Sequence, residues 1–171
     1  MFSNKARVLV TLVFIALLAF FAYKQVLELA LASVLLIVLI IIDYFKQGTL
    51  VLAAKHFHDK DYAGAEDLLK QIKKPEWLLA KRRGVYEFMF GAICLHKHEY
   101  EAAAEHYEQA AKFPLRSVNE HVAALVHAAN VNIRLGNYDK AKSCLQEAQL
   151  NEDKITAKMK AVIERLKQEL K

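Results

Sequence analysis

The sequence predicts an all-α protein that begins with a hairpin of two transmembrane helices and continues as an α-solenoid of three helix pairs with a C-terminal capping helix. Three observations lead to this prediction. Charged residues are scarce in the first 45 residues, a tyrosine motif recurs every 38 residues after them, and no segment alternates as a strand would. We therefore expect a membrane hairpin at residues 1–45 and a repeat domain at residues 46–171.

The composition shifts sharply near residue 45. Hydrophobic residues make up 55% of the chain, and the first 45 residues contain only five charged ones: Lys5, Arg7, Lys24, Glu28 and Asp43. The rest of the chain resembles an ordinary soluble domain, with positive and negative residues interspersed. Because no long basic run interleaves with aromatic residues, we expect no nucleic-acid partner.

The apolar segment divides into two runs, and we predict transmembrane helices at about 6–24 and 26–45. Each run is short for a full span, so a re-entrant or interfacial hairpin is the alternative. A cleaved signal peptide is disfavoured because a second apolar run follows the first directly. A single long helix would place Lys24 and Glu28 in the middle of the membrane at high cost.

Cations flank the outer ends of this predicted hairpin, whereas its turn is nearly neutral. Lys5 and Arg7 precede the first run, and Lys46 and Lys55 follow the second. The positive-inside rule then places both termini and the repeat domain in the cytoplasm, with the protein in an inner or plasma membrane.

The second part of the sequence repeats itself with a period of 38 residues. A period of this size indicates stacked supersecondary units. We predict repeats at about 46–75, 77–114 and 117–150, followed by a capping helix at 153–170. Four positions recur in each repeat. A small residue lies in the first helix (Ala53, Gly91, Ala129) and a tyrosine follows the turn (Tyr62, Tyr100, Tyr138). An alanine (Ala65, Ala103, Ala141) and a bulky apolar residue (Leu69, Tyr107, Leu145) then lie in the second helix.

Two capping signals mark helix starts within this repeat domain. The stretch Ser117-Val-Asn-Glu120 has the form of a capping box that opens the first helix of the third repeat. We expect Asn151 to cap the final helix.

With its Gly136-Asn-Tyr138 turn and the small residues at fixed positions, this part of the chain resembles the tetratricopeptide repeat (TPR) family. The resemblance covers roughly residues 46–150, and the period is longer than the 34 residues usual in that family. It implies that the first helices of the pairs line a concave groove that binds a protein partner, as in a membrane-anchored TPR protein.

The register of the repeat tyrosines predicts which residues line the groove: Leu50, Ala54, Phe57, Phe88, Ala92, Leu95, Val126, Asn130 and Ile133. Some TPR proteins hold a terminal carboxylate with lysines, but Leu50, Phe88 and Val126 occupy those positions here. An apolar groove favours an amphipathic or hydrophobic helix instead. The same residues could equally pack against the final helix or the hairpin, and the sequence leaves both interpretations open.

Three cations, Lys81, Arg82 and Arg83, open the second repeat. They are candidates for contact with anionic lipid headgroups, and a solvated helix face is the alternative.

The sequence contains no recognisable catalytic motif, such as a phosphate-binding loop or a nucleophile elbow. Histidines near the predicted turns fit partly exposed polar residues better than metal ligands, and the two cysteines fit buried free thiols. We therefore expect a non-enzymatic adaptor or assembly factor without metal or cofactor. The alternative is a structural accessory subunit of a larger membrane complex for secretion, transport or respiration.

Overall fold

A computed structural model describes the backbone of residues 4–25 and 27–170, and the side chains of most of them, but not those of 4–11, 22, 27, 39–47 and 152. The described residues form α-helices and two short 3-10 turns, without a strand, which confirms the all-α prediction. The α-helices are α1 Asn4–Tyr23, α2 Leu27–His58, α3 Tyr62–Lys70, α4 Ala80–His96, α5 Tyr100–Ala111, α6 Val118–Arg134, α7 Tyr138–Gln149 and α8 Ala157–Glu169.

The chain divides into two compact units, Met1–Thr49 and Leu50–Lys171. In the first unit, α1 and the start of α2 flank a turn at Lys24 and Gln25, and many large apolar side chains of both helices are exposed. Within the described part of the chain, no helix has both the length and the apolar character to cross a membrane. Val26, the first residue of the second predicted span, lies outside the described residues.

The boundary predicted near residue 45, between the hairpin and the first repeat, lies within a continuous helix. Helix α2 continues from Leu27 to His58 without interruption. A single glycine, Gly48, is too weak a breaker because glycine costs a helix only about 1 kcal/mol relative to alanine. The first helix of the first repeat is therefore the C-terminal part of α2.

The second unit consists of three helix pairs, formed by the end of α2 with α3, by α4 with α5, and by α6 with α7. The first helices end at His58, His96 and Arg134, and the second helices begin at Tyr62, Tyr100 and Tyr138, so both boundaries keep the 38-residue period of the sequence. Buried apolar clusters follow the same order: one joins α2, α3 and α4, and another joins α6, α7 and α8.

One turn geometry joins the two helices of every pair. The backbone N–H that follows the turn bonds to a carbonyl five residues earlier, as in a Schellman motif. These bonds join Asp61 to His56 (2.9 Å), Glu99 to Cys94 (2.9 Å) and Asn137 to Asn132 (2.8 Å). The residue before each donor has a left-handed backbone, with φ of 62° at Lys60, 63° at His98 and 75° at Gly136. Only the third repeat has glycine, the residue that this conformation favours.

The first two repeat tyrosines have equivalent partners in the following repeat. The ring centroids of Tyr62 and His96 lie 4.5 Å apart with the rings tilted by 39°, which is an aromatic contact, and the ring of Tyr100 lies 5.7 Å from the guanidinium carbon of Arg134, which is a cation–π contact. His96 and Arg134 both end first helices. The motif tyrosine therefore links each pair to the next one.

Helix α8 covers the last pair, as the sequence predicted. Ile163 and Leu166 are buried in the cluster formed with α6 and α7. The predicted cap was wrong, because Asn151 precedes a 3-10 turn, Glu152–Lys154, and Thr156 is the residue before α8. The capping box is only partly formed: Ser117 Oγ accepts from Glu120 N–H (3.2 Å), but the Glu120 carboxylate accepts from Arg116 N–H (3.1 Å) instead of from Ser117.

Candidate partner-binding cleft

An apolar cleft of about 280 Å³ lies between the first helices of the three repeats, within the second unit. The cleft is lined by Ala54 and Phe57 of α2, by Val85 and Phe88 of α4, and by Ala123 of α6. The other lining residues are His58, Met89, Leu115, Arg116 and Glu120. This volume is near the lower end of small-molecule pockets, about 300–1,000 Å³, so it suits a few apolar side chains of a partner.

One part of the cleft lining depends on a close approach between the connection after α5 and helix α4. Leu115 is buried there, and a Cβ atom added to Gly84 would lie 2.7 Å from its Cδ2 atom. Glycine at position 84 is therefore what allows this connection to pack against α4. Leu115 then joins Val85 and Phe88 in a small cluster with Ala110 and Ala124.

The cleft includes three of the nine predicted groove residues, Ala54, Phe57 and Phe88. The prediction was wrong for Leu50 and Val126, which are only 4% and 5% exposed and belong to the core. Ala92, Leu95 and Ile133 are half-buried and pack against core clusters. Asn130 is half-buried and is not among the residues that line the cleft.

Equivalent residues do not form the row that the register predicted, because the cleft runs diagonally across the helices. It uses the end of α2 (54–58), the middle of α4 (85–89) and the start of α6 (120–123). Helices of an array are rotated relative to one another, so a line across them meets each helix at a different repeat position. The period alone therefore could not identify Val85 and Ala123.

Phe88 has a double role in this region. Its ring lies edge-on to Tyr107, at a centroid distance of 5.5 Å, and to His127, at 5.9 Å. His127 in turn stacks on Tyr107 with ring centroids 5.0 Å apart. Burial lowers the pKa of His127, so the imidazole is neutral at pH 7. Phe88 thus contributes to internal packing as well as to the cleft.

The three cations predicted to contact lipid headgroups differ in exposure and in their partners. Lys81 is exposed and Arg82 is half-buried, but Arg83 forms an ion pair with Glu87, with Nη2 and Oε1 2.5 Å apart. Glu87 is only 2% exposed and also bonds His106 Nδ1 at 2.6 Å. Arg83 is therefore held by its intramolecular partner, and a headgroup contact of these cations stays a prediction.

The two free cysteines have the character of structural thiols. Burial raises the pKa of Cys94 and of Cys144 to about 11, so both are protonated at neutral pH. Among the described residues, no group of three or more metal-ligating side chains comes together.

No protein-family model matches this chain, and the comparisons with curated proteins and with solved structures likewise gave no match.

Proposed function

We propose that this chain is a membrane-anchored, TPR-like adaptor that holds an apolar helix of a partner protein in the cleft between its first helices. The observation that carries the proposal is the cleft itself, which is lined by apolar side chains from the first helices of all three repeats. An amphipathic helix that inserts its apolar side chains into such a groove is a common mode of recognition.

The exposed apolar surface of the first unit supports a membrane anchor. In α1, Leu12 and Phe20 are 60% and 55% exposed, and in α2, Leu31 and Leu35 are each 61% exposed. Large apolar side chains clustered on a surface mark a contact with lipid or protein. In the proposed arrangement they lie in the bilayer, and the cations outside the hairpin keep both termini cytoplasmic.

Filling the cleft tests partner binding without removing any packed side chain. Ala123 lines the cleft, so an Ala123→Trp variant places an indole where the partner side chain is expected. Burying one leucine-sized group contributes roughly 1.5–3 kcal/mol, and about 1.4 kcal/mol is a factor of ten in affinity. We therefore expect at least tenfold less partner in affinity purification from mild detergent, measured by quantitative mass spectrometry.

The matched control is Ala161→Trp, at an exposed alanine of α8. It should retain the partner at the wild-type level, and both variants should unfold at the wild-type denaturant concentration. Equal recovery of the same partner with Ala123→Trp and with wild type would disprove binding in the cleft.

The membrane anchor has its own test. A reporter fused after Lys171 should be active only on the cytoplasmic side, and extraction with alkaline carbonate should leave the chain in the membrane fraction.

A further inference from the structure

The connection between α3 and α4 presents two large apolar side chains to solvent. Trp77 and Leu79 are 60% and 67% exposed, whereas Leu78 between them is half-buried and packs against the core of the first two repeats. Trp77 is the last residue of the 3-10 turn Pro75–Trp77, and Leu78 N–H bonds to Pro75 O at 3.0 Å. The fold therefore holds this connection in place while its apolar tip points outward.

The same connection and the first turn of α4 concentrate positive charge. Residues 73–82 contain four cations and one carboxylate, a net charge of +3, whereas the whole chain has a net charge of +5. The cations are Lys73, Lys74, Lys81 and Arg82, and the carboxylate is Glu76. The ammonium group of Lys74 lies 4.4 Å from the centroid of the Trp77 ring. The positive charge thus lies close to the apolar tip in the chain, and Lys74 contacts the tip directly.

We propose that residues 73–82 form a docking surface for an anionic lipid bilayer. Trp77 and Leu79 enter the headgroup region, where tryptophan is favoured, and the four cations face anionic headgroups. A bilayer presents negative charge and an apolar interior together, which matches an apolar tip with cations next to it in the chain. An acidic protein surface would match the charge but would leave two large apolar side chains without a counterpart. This contact is separate from the cleft and does not depend on a protein partner.

Trp77 is the only tryptophan of the chain, so its fluorescence reports on this surface alone. The full chain is reconstituted into lipid nanodiscs made either of phosphatidylcholine or of phosphatidylcholine with phosphatidylglycerol. With the anionic discs we expect a shift of the emission to shorter wavelength and quenching by brominated acyl chains. Both effects should disappear at 1 M salt, where the Debye length falls to about 3 Å.

Charge reversal provides the matched comparison. The double variant Lys73→Glu with Lys81→Glu should abolish the fluorescence response to anionic lipid. The control, Lys142→Glu with Lys158→Glu, makes the same charge change at exposed lysines of α7 and α8 and should retain the response. Far-UV circular dichroism should show the same helicity in both double variants. Co-elution of the chain with neutral discs reports separately on the proposed hairpin anchor.

Two results would overturn the proposal. One is a Trp77 emission spectrum that is the same in neutral and anionic discs. If poly-glutamate shifts this spectrum although lipid does not, the surface binds an acidic protein instead. The other is a lipid response that survives the reversal of Lys73 and Lys81.

Discussion

A Glu87→Ala variant is expected to lose about 3–5 kcal/mol of folding free energy, because it leaves a partly buried guanidinium without its partner. The Glu87 carboxylate is 2% exposed and joins Arg83 on its own helix to His106 on α5. Two further nitrogens of Arg83, Nε and Nη1, are buried without a hydrogen-bond partner. The ion pair with Glu87 is therefore the main compensation for the buried part of the Arg83 charge. Urea unfolding of the full chain in detergent, followed by Trp77 fluorescence, measures this loss in the repeat unit.

Two further variants show whether the loss comes from the unpaired charge. Glu105→Ala, at an exposed carboxylate of α5, should change the stability by less than about 0.5 kcal/mol. Replacing both partners, with Arg83→Met and Glu87→Leu together, should recover most of the loss, because apolar residues of similar size can substitute for a buried ion pair. A Glu87→Ala protein within about 1 kcal/mol of wild type would contradict this account.

The effect of Gly91→Ala is expected to change sign with the residue at position 107. A Cβ atom at Gly91 would lie 3.0 Å from the Cγ and Cδ1 atoms of the Tyr107 ring. Tyr107 is 1% exposed, and Phe88 and His127 contact its ring, so the ring has little room to move. Overpacking costs about 1–3 kcal/mol, which exceeds the roughly 1 kcal/mol that alanine gains over glycine in a helix. Gly91→Ala alone should therefore destabilise the fold by about 1 kcal/mol.

The other repeats indicate how this strain is relieved. Ala53 and Leu69 share one core cluster, and Ala129 and Leu145 share another, at the positions equivalent to Gly91 and Tyr107. A methyl group in the first helix is thus accommodated where the second helix has leucine. In a Tyr107→Leu background, Gly91→Ala should stabilise the protein by roughly 0.8–1.0 kcal/mol. A four-variant cycle of urea unfolding measures the coupling, and the same effect of Gly91→Ala in both backgrounds would exclude it.

The periodic pattern predicted the helical architecture well, because each repeat uses local chemistry. The small residues, the motif tyrosines and the turn residues are close in sequence to the helix ends that they determine. The helix boundaries at His96, Tyr100, Arg134 and Tyr138 accordingly follow the period. The capping helix was also predictable, since Ile163 and Leu166 lie on one apolar stripe that must be buried.

Features that depend on distant parts of the chain were beyond such reasoning. The local sequence offers Arg83 and Glu87 as an i,i+4 pair, but it does not show that this pair is largely buried while Lys81 is exposed, because burial depends on which face of α4 meets α5. Similarly, α2 continues past residue 45 although the composition changes there, since helix propagation depends on backbone propensity and not on polarity.

The sequence on its own was thus sufficient to establish an all-α protein with three helix pairs of 38-residue period, since periodic burial and turn chemistry are local properties. The position of the cleft came from the folded structure, because the rotation between stacked helices brings Val85 and Ala123 into the lining and leaves Leu50 and Val126 in the core. A one-dimensional repeat pattern contains the period of an array but not the angle between its helices, and that angle determines which side chains share a surface.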